Sequence, residues 1–338
     1  MPEHSFQPIR GLLERFSFRS NLLENKIGDP KEREIIAHIP PQGLEVIANG
    51  GALPVMIYLA PFTSSGLSRA GWKAFAETLP QRHERLVNNG DMRPTILVMP
   101  DCFTSLGGNQ FVDSKILGNW SSWLSSELKL EINNRYKTNN RFALFGKSSG
   151  GYGAIYNAFA NPDEWHAIAS HSGDVGFDTL YRSDFHTTAT QINRAGNLDD
   201  FLQHVKSCKK LSSDDFHALM ICAMAASYDE NSDNNHNIRL PFDLDLCEIN
   251  IDAWENWLSF DPINLIKKHP ESLDKLELLF IDCGDKDQYG IQYGSRKFVE
   301  LLNHHQISHH WEEFSGTHSG IESRLDISMP LLSNVLHL

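Results

Sequence analysis

The sequence predicts an α/β fold in which a mostly parallel central sheet is covered by helices on both faces. Apolar runs of strand length alternate with longer segments of helical period, the pattern of that layered architecture. The runs PVMIYLA (54–60), TILVMP (95–100) and RFALFG (141–146) are short, branched or aromatic, and almost continuously apolar, as strands buried on both faces are. Between the last two, NWSSWLSSELKLEINNRY repeats Trp120, Leu124, Leu128 and Ile132 every four residues along one helical face. That helix crosses from one parallel strand to the next.

The elements follow in order along the chain. Residues 14–20 (ERFSFRS) and 32–39 (EREIIAHI) alternate apolar with polar around the turn-rich ENKIGDPK, which predicts an antiparallel hairpin at a sheet edge. After the three buried strands, EWHAIASHS (164–172) reads as another strand. About a hundred residues with little strand signal come next, including the polar, Asn/Asp-rich stretch 228–237, and these predict an insertion of short helices. The chain returns to the sheet with LELLFID (276–282), a helix holding Phe298, Leu301 and Leu302, a strand HHWEEF, and a last helix from about residue 319. The expected organisation is a single domain over 1–338 with an insertion at about 173–274, since 338 residues can form one α/β unit.

Composition excludes several functions. No apolar run approaches the roughly 20 residues that span a bilayer, so no membrane partner is expected. The first twenty residues lack the continuous apolar segment of a signal peptide. Five cysteines are odd in number, scattered and never spaced Cys-x-x-Cys, which argues against a disulfide framework and a zinc site and fits a reducing cytoplasm. A formal charge of −13 repels nucleic acid. No Walker-type or dinucleotide-binding glycine pattern is present. The expected partner is a small molecule acting without cofactor or metal, and a homo-oligomer is compatible with the sequence. His304, His305, His309 and His310 in LLNHHQISHHWEE sit at a helix end and a strand start, where adjacent imidazoles diverge and complete no tetrahedral set.

The chemistry-bearing residues lie at strand ends. Gly146-Lys147-Ser148-Ser149-Gly150 follows the buried strand RFALFG and opens a segment rich in small residues, Gly150-Gly151-Tyr152-Gly153-Ala154. A serine at the apex of a sharp strand-to-helix turn stands clear of the backbone, and glycines two before and two after it let the crossing chains approach. Ser148 is therefore the candidate nucleophile. The helix that starts after it points free amides at any oxyanion formed there, so the Ser149 N–H is the first oxyanion donor. The second comes from the loop Ala60-Pro61-Phe62-Thr63, where Phe62 is chosen because Pro61 has no amide proton.

A serine hydroxyl needs a base, and the base needs an acid to hold its tautomer. Of 16 histidines, His318 lies in Ser315-Gly316-Thr317-His318-Ser319-Gly320, between the last strand and the last helix. The strand LELLFID runs into Cys283-Gly284-Asp285-Lys286-Asp287, which offers Asp287 as the acid and Asp285 as the reserve. The order Ser, Asp, His differs from that of chymotrypsin-like and subtilisin-like proteases. His171-Ser172-Gly173-Asp174, after another strand, reads either as pocket lining or as a polar turn. Cys102 has nothing nearby to activate a thiol. Trp72, Phe103, Phe111 and Phe177 are core-like by type, with those on strand-end loops also able to line a pocket.

On these residues the chain resembles the esterase D and enterochelin-esterase-like group of α/β-hydrolases, which also holds feruloyl esterases, S-formylglutathione hydrolases and mycolyltransferases. PVMIYLAPF, ILVMPDCFTSLGG, SSELKLEINNRY, FGKSSGGYGA, FDPINLI, FIDCGDKD and FSGTHS follow one another as in that group. The resemblance implies an α/β-hydrolase fold, a nucleophile at Ser148, an acid at Asp287 and a base at His318. Where the group often has His-Gly after the first central strand, this chain has Ala60-Pro61, and its insertion is longer than a minimal member needs, as in members that form a lid over the acyl pocket. The function implied is serine-dependent hydrolysis of a carboxylic ester. Acyl transfer, S-formylglutathione-type thioester hydrolysis and non-catalytic binding on the same frame are the alternatives.

Overall fold

The computed structural model describes residues 8–229 and 238–338; most of the polar stretch at 228–237 lies outside the described residues, as do the first seven. An eight-stranded sheet forms the frame. Its strands are β1 (Leu12–Arg19), β2 (Glu32–Ile39), β3 (Leu53–Leu59), β4 (Ile96–Pro100), β5 (Thr138–Lys147), β6 (Ala167–His171), β7 (Leu278–Gly284) and β8 (His310–Phe314). They lie in the order β1-β2-β4-β3-β5-β6-β7-β8. β1 pairs antiparallel with β2, and β2 antiparallel with β4. All remaining pairs in this sheet are parallel.

The sequence patterns explain these roles. β1 alternates more and less exposed residues, as an edge strand with one solvated face does, whereas every residue of β3 and β4 is buried. Side chains of each central strand alternate between two cores. Val55, Ile57 and Leu59 of β3 and Leu144 of β5 face the larger core, with Trp120, Trp123, Leu124, Leu128 and Ile132 of the crossover helix. The helix α1 (Pro41–Ala48) leads into β3, and α10 (Ile291–His304) links β7 to β8. Met56 and Tyr58 of β3 and Phe145 of β5 face the other core, against α2 (Leu79–Asn88) and α11 (Leu325–Leu336). Helices thus cover both faces.

The crossover helix, α3, spans 120–135 and keeps the four apolar positions buried, but its middle, Trp123–Leu128, winds as a π-helix. The last helix starts later than the sequence suggests. A 3₁₀ turn, Ile321–Arg324, precedes α11 at Leu325, because residues 319–320 still belong to the loop after β8. Trp72 and Phe103 also depart from the burial their type suggests: they are 72% and 41% exposed, while Phe111 and Phe177 are buried.

Between β6 and β7, where the sequence predicts an insertion, the chain is helical, with α5 (Phe185–Ala195), α6 (Leu198–Ser207), α7 (Ser213–Tyr228), α8 (Ile251–Leu258) and α9 (Pro262–Lys268). Most starts have a local cause. Asn197 caps α6, Ser212 and Asp215 form a capping box on α7, and Asn250 caps α8. Asp261 caps α9 and also accepts hydrogen bonds from the Gly176 and Phe177 amides at 3.1 and 2.8 Å. One buried carboxylate so fastens the end of the insertion to its beginning.

Candidate active site

In a parallel sheet the strand ends on one side gather loops from distant parts of the chain. β5, β7 and β8 each end there. Ser148 follows β5 with φ 55° and ψ −126°, a conformation outside the regions that non-glycine residues ordinarily occupy. The turn is held by the Ser148 N–H donating to His171 O at 2.9 Å. Two glycines make it possible. A Cβ on Gly146 would lie 2.5 Å from Leu59 O and 2.6 Å from the Gly150 carbonyl carbon, and one on Gly150 would overlap the Leu59 carbonyl outright. The helix α4 (Ser149–Ala160) starts directly behind the serine and is buried over most of its length. Neither the Ser149 amide nor the Phe62 amide has an acceptor among the described residues, and both residues line the same cavity as Ser148. Gln110, fully buried, donates through Nε2 to Ser149 Oγ at 3.0 Å.

The loops after β7 and β8 are zipped together by backbone hydrogen bonds. Asp285 N–H donates to Phe314 O and Lys286 N–H to Gly316 O, both at 2.9 Å. Asp285 commits its carboxylate to the same task, accepting from the Gly316 N–H at 2.9 Å. Asp287 faces elsewhere: its Oδ2 lies 2.7 Å from His318 Nδ1, and its Oδ1 accepts from the Tyr289 N–H at 2.9 Å. Asp287 and His318 are both buried. Gln288 Oε1 accepts from the His318 N–H at 3.1 Å, and the Tyr289 ring meets the imidazole edge-on with centroids 4.9 Å apart. His318 is fixed from two sides.

Ser148 and His318 both open onto a cavity of about 150 Å³. The Ser148 hydroxyl makes no hydrogen bond among the described residues, and in ligand-free hydrolases the nucleophile–base bond commonly tightens only on substrate binding. A cavity of this size takes one benzene-sized group. The insertion supplies much of its wall through Leu180, Tyr181, Phe216 and Met220. Asp174 joins them from the end of β6, with Tyr181 Oη donating to its Oδ2 at 2.9 Å. Burial pushes the Asp174 carboxyl up to about 6, against hydrogen bonding from Tyr181 and the nearby His318.

Behind Ser148 lies a second buried polar chain. His171 contacts Asp282 Oδ1 through Nδ1 and Ser328 Oγ through Nε2, both at 2.8 Å, and Asp282 Oδ2 accepts from Arg324 Nε at 2.8 Å. It reproduces a Ser–His–Asp pattern, but His171, Asp282 and Ser328 are all sealed from solvent, so it braces β6, β7 and α11 beneath the turn. Cys283 is buried under Asp287, and burial pushes its thiol up to about 12, which leaves it unreactive. Cys102 is likewise buried and pushed upward. Among the described residues no group of three or more His, Cys, Asp or Glu side chains is arranged to hold a metal ion. The neighbouring His309 and His310 diverge, one contacting Ile307 O and the other stacking on Phe280. No helix of the described chain is long and apolar enough to cross a membrane.

A mostly parallel sheet with helices on both faces and a strained serine turn at its strand ends defines an α/β-hydrolase. The chain belongs to the esterase family described as "putative esterase", whose profile matches residues 113–322, and it is a carboxylic ester hydrolase. No curated protein matches it in sequence. Among solved structures it is similar to a ferulic acid esterase, with 14% identity and a TM-score of 0.61 over 97% of this chain and 100% of that one. It is similar to an S-formylglutathione hydrolase from Agrobacterium tumefaciens, with 16% identity and a TM-score of 0.59 over 98% and 97% of the two chains. An enterochelin esterase from Shigella flexneri shares 12% identity and a TM-score of 0.54 over 98% of this chain and 59% of its own. At such identities the likeness is one of fold.

Proposed function

We propose that the enzyme cleaves small esters through an acyl-enzyme on Ser148, with His318 as general base and acid and Asp287 as the carboxylate that orients it. The observation that carries this reading is the 2.7 Å contact between Asp287 Oδ2 and His318 Nδ1 beside a serine held at φ 55° over the same cavity. The carboxylate fixes the proton on Nδ1, which leaves Nε2 free to accept the hydroxyl proton of Ser148. Ser148 Oγ then bonds to the ester carbonyl carbon, and the carbonyl oxygen becomes an oxyanion.

The Ser149 and Phe62 amides are the donors that receive it, and the N-terminus of α4 adds its partial positive charge. As the tetrahedral centre collapses, the C–O bond to the alcohol breaks and His318 Nε2 returns its proton to the departing oxygen. Water attacks the acyl-enzyme by the same route in reverse, with Nε2 taking its proton, and the carboxylic acid leaves Ser148 free. Asp285 has no part in this chemistry; it holds the base loop in place through Gly316. The size of the cavity favours a short acyl chain or a single ring over a long chain.

The test is hydrolysis of p-nitrophenyl acetate and butyrate by the purified full chain and by Ser148→Ala. Loss of at least about 10⁴-fold in kcat is expected, as for other serine hydrolases stripped of the nucleophile. Undiminished turnover in Ser148→Ala would overturn the reading.

A further inference from the structure

The carboxyl of Asp174 stands on the cavity wall and has no part in the proposed hydrolytic cycle. It is 5% exposed, lies at the end of β6 facing the space shared by Ser148 and His318, and accepts from Tyr181 Oη at 2.9 Å, with the Gln110 amide as a further neutral neighbour, while His318 and Asp287 act on it with opposite sign. A buried carboxylate is expensive unless it is well paired, and neutral donors are poor compensation for the hydration it has lost. Tyr181, Phe62, Phe216 and Tyr289 line the same cavity, beside the aliphatic Leu180 and Met220. Phe62 and Phe216 meet edge to face with centroids 5.5 Å apart, so this part of the wall is a packed ring surface rather than a loose one. A carboxylate beside aromatic side chains is a combination that receives a compact organic cation, since the charge pairs with the anion while rings that meet it face-on attract it through their quadrupoles.

We propose that Asp174 is a specificity-determining residue that, with the aromatic wall beside it, recognises a small ammonium group carried by the ester. The inference rests on the reading of Ser148 and His318 as the reacting pair, because their shared cavity is where the ammonium would sit. Lys147 borders the same space, but the carboxylates that act on it are Glu322 and Asp287, which leaves Asp174 to a cation brought by the substrate. Burial raises the Asp174 carboxyl to about 6, so assays at pH 8 or above find it ionised and able to pair. An ester with a carboxylate at this position would meet Asp174 as a like charge and be rejected.

The test compares esters that differ only in charge. On the alcohol side, butyrylcholine is set against 3,3-dimethylbutyl butyrate; on the acyl side, the p-nitrophenyl ester of 4-(trimethylammonio)butyrate against that of 5,5-dimethylhexanoate. In the wild-type full chain, kcat/KM for the ammonium ester should exceed that of its neutral isostere by at least about tenfold in one of the two pairs, which also tells which side of the ester the cavity holds. In Asp174→Asn the ratio should fall to within about threefold of unity. Tyr181→Phe removes a hydrogen bond that favours the ionised carboxyl, so it is compared with the wild type at pH 8.5, where Asp174 is ionised, and should keep the preference. Tetramethylammonium should compete with substrate in the wild type more strongly than tert-butanol, a measurement that needs no variant. No preference in either pair, a preference that survives Asp174→Asn, or an equal loss in Tyr181→Phe would each overturn the proposal. Failure of fluorophosphonate labelling at Ser148 would instead overturn the catalytic reading on which it rests.

Discussion

Asp287 and Asp285, two residues apart in one loop, point to different partners: Asp287 Oδ2 meets His318 Nδ1 at 2.7 Å, and Asp285 Oδ1 accepts the Gly316 amide at 2.9 Å. Asp287→Asn would remove the charge that stabilises the imidazolium and favour the wrong tautomer, so kcat should fall by about 10⁴-fold. Asn at 285 can still accept from Gly316, and Asp285→Asn should lose less than about tenfold. Steady-state hydrolysis of p-nitrophenyl butyrate by both variants checks this. The reverse order of losses would move the acid to Asp285.

The sharp turn at Ser148 depends on the absence of side chains around it. Gly150→Ala would drive a methyl into the Leu59 carbonyl, a clash with backbone that no rotamer relieves. The expected cost is about 3 kcal/mol or more, the upper part of the range for overpacking, with activity lost in parallel. Urea unfolding followed by circular dichroism measures the first, and ester hydrolysis the second. Gly90, where an added Cβ meets nothing but φ is +80°, should by contrast lose only about 1 kcal/mol as Gly90→Asn, because Asn tolerates that conformation.

Far from the site, a buried chain of side chains sets a pH limit on stability. Glu84 lies 3.3 Å from His38 Nε2, His38 Nδ1 lies 2.9 Å from His83 Nδ1, and His83 Nε2 lies 2.9 Å from Thr95 Oγ1. With His38 donating to Glu84, His83 donates to His38 and Thr95 to His83, so both rings are satisfied as neutral imidazoles. Burial pulls His38 down to about 4 and His83 well below its ordinary value. The folded state therefore binds fewer protons than the unfolded chain between about pH 4 and 6.5, and stability is whole above 6.5 and declines as pH falls. For His38 alone the loss amounts to about 3 kcal/mol by pH 4. Asp174, raised from 3.8 to about 6, works in the opposite sense over its own interval. The measurement is accordingly a comparison: the melting temperature of the wild type should fall more between pH 7.5 and 5 than that of the paired replacement His38→Gln with His83→Leu.

The helical segment between β6 and β7 lines part of the cavity. Phe216 and Met220 of α7 stand on its wall, and truncating Phe216 to Ala should raise kcat/KM for p-nitrophenyl octanoate relative to the acetate by about tenfold, the value of a few methylenes of added room. An unchanged ratio would place the acyl chain elsewhere.

Much of the fold and of the candidate site was legible in the sequence because each part sits at the end of a strand with a strong apolar signature. RFALFG leads to Ser148, LELLFID to Asp287, and HHWEEF to His318. Asp174 carries the same signal, following HAIASHS, but a polar turn after a strand fits equally well until the cavity is seen. Gln110, Tyr181, Phe216 and Met220 lie on loops and helices whose local pattern is that of ordinary packing, and only tertiary contact brings them to Ser148 or Ser149. The exposure of Trp72 and Phe103 was illegible for a related reason: residue type favours burial, yet each sits on a loop that leaves its ring in solvent. The π-helical middle of α3 left no mark on the four-residue apolar spacing.

Treating the full chain with a fluorophosphonate and locating the adduct by peptide mass spectrometry tests directly whether Ser148 is the nucleophile. A single modification on Ser148 is expected, absent in Ser148→Ala and slowed in His318→Ala. An adduct on a different serine, with hydrolysis lost in step, would overturn the assignment of Ser148.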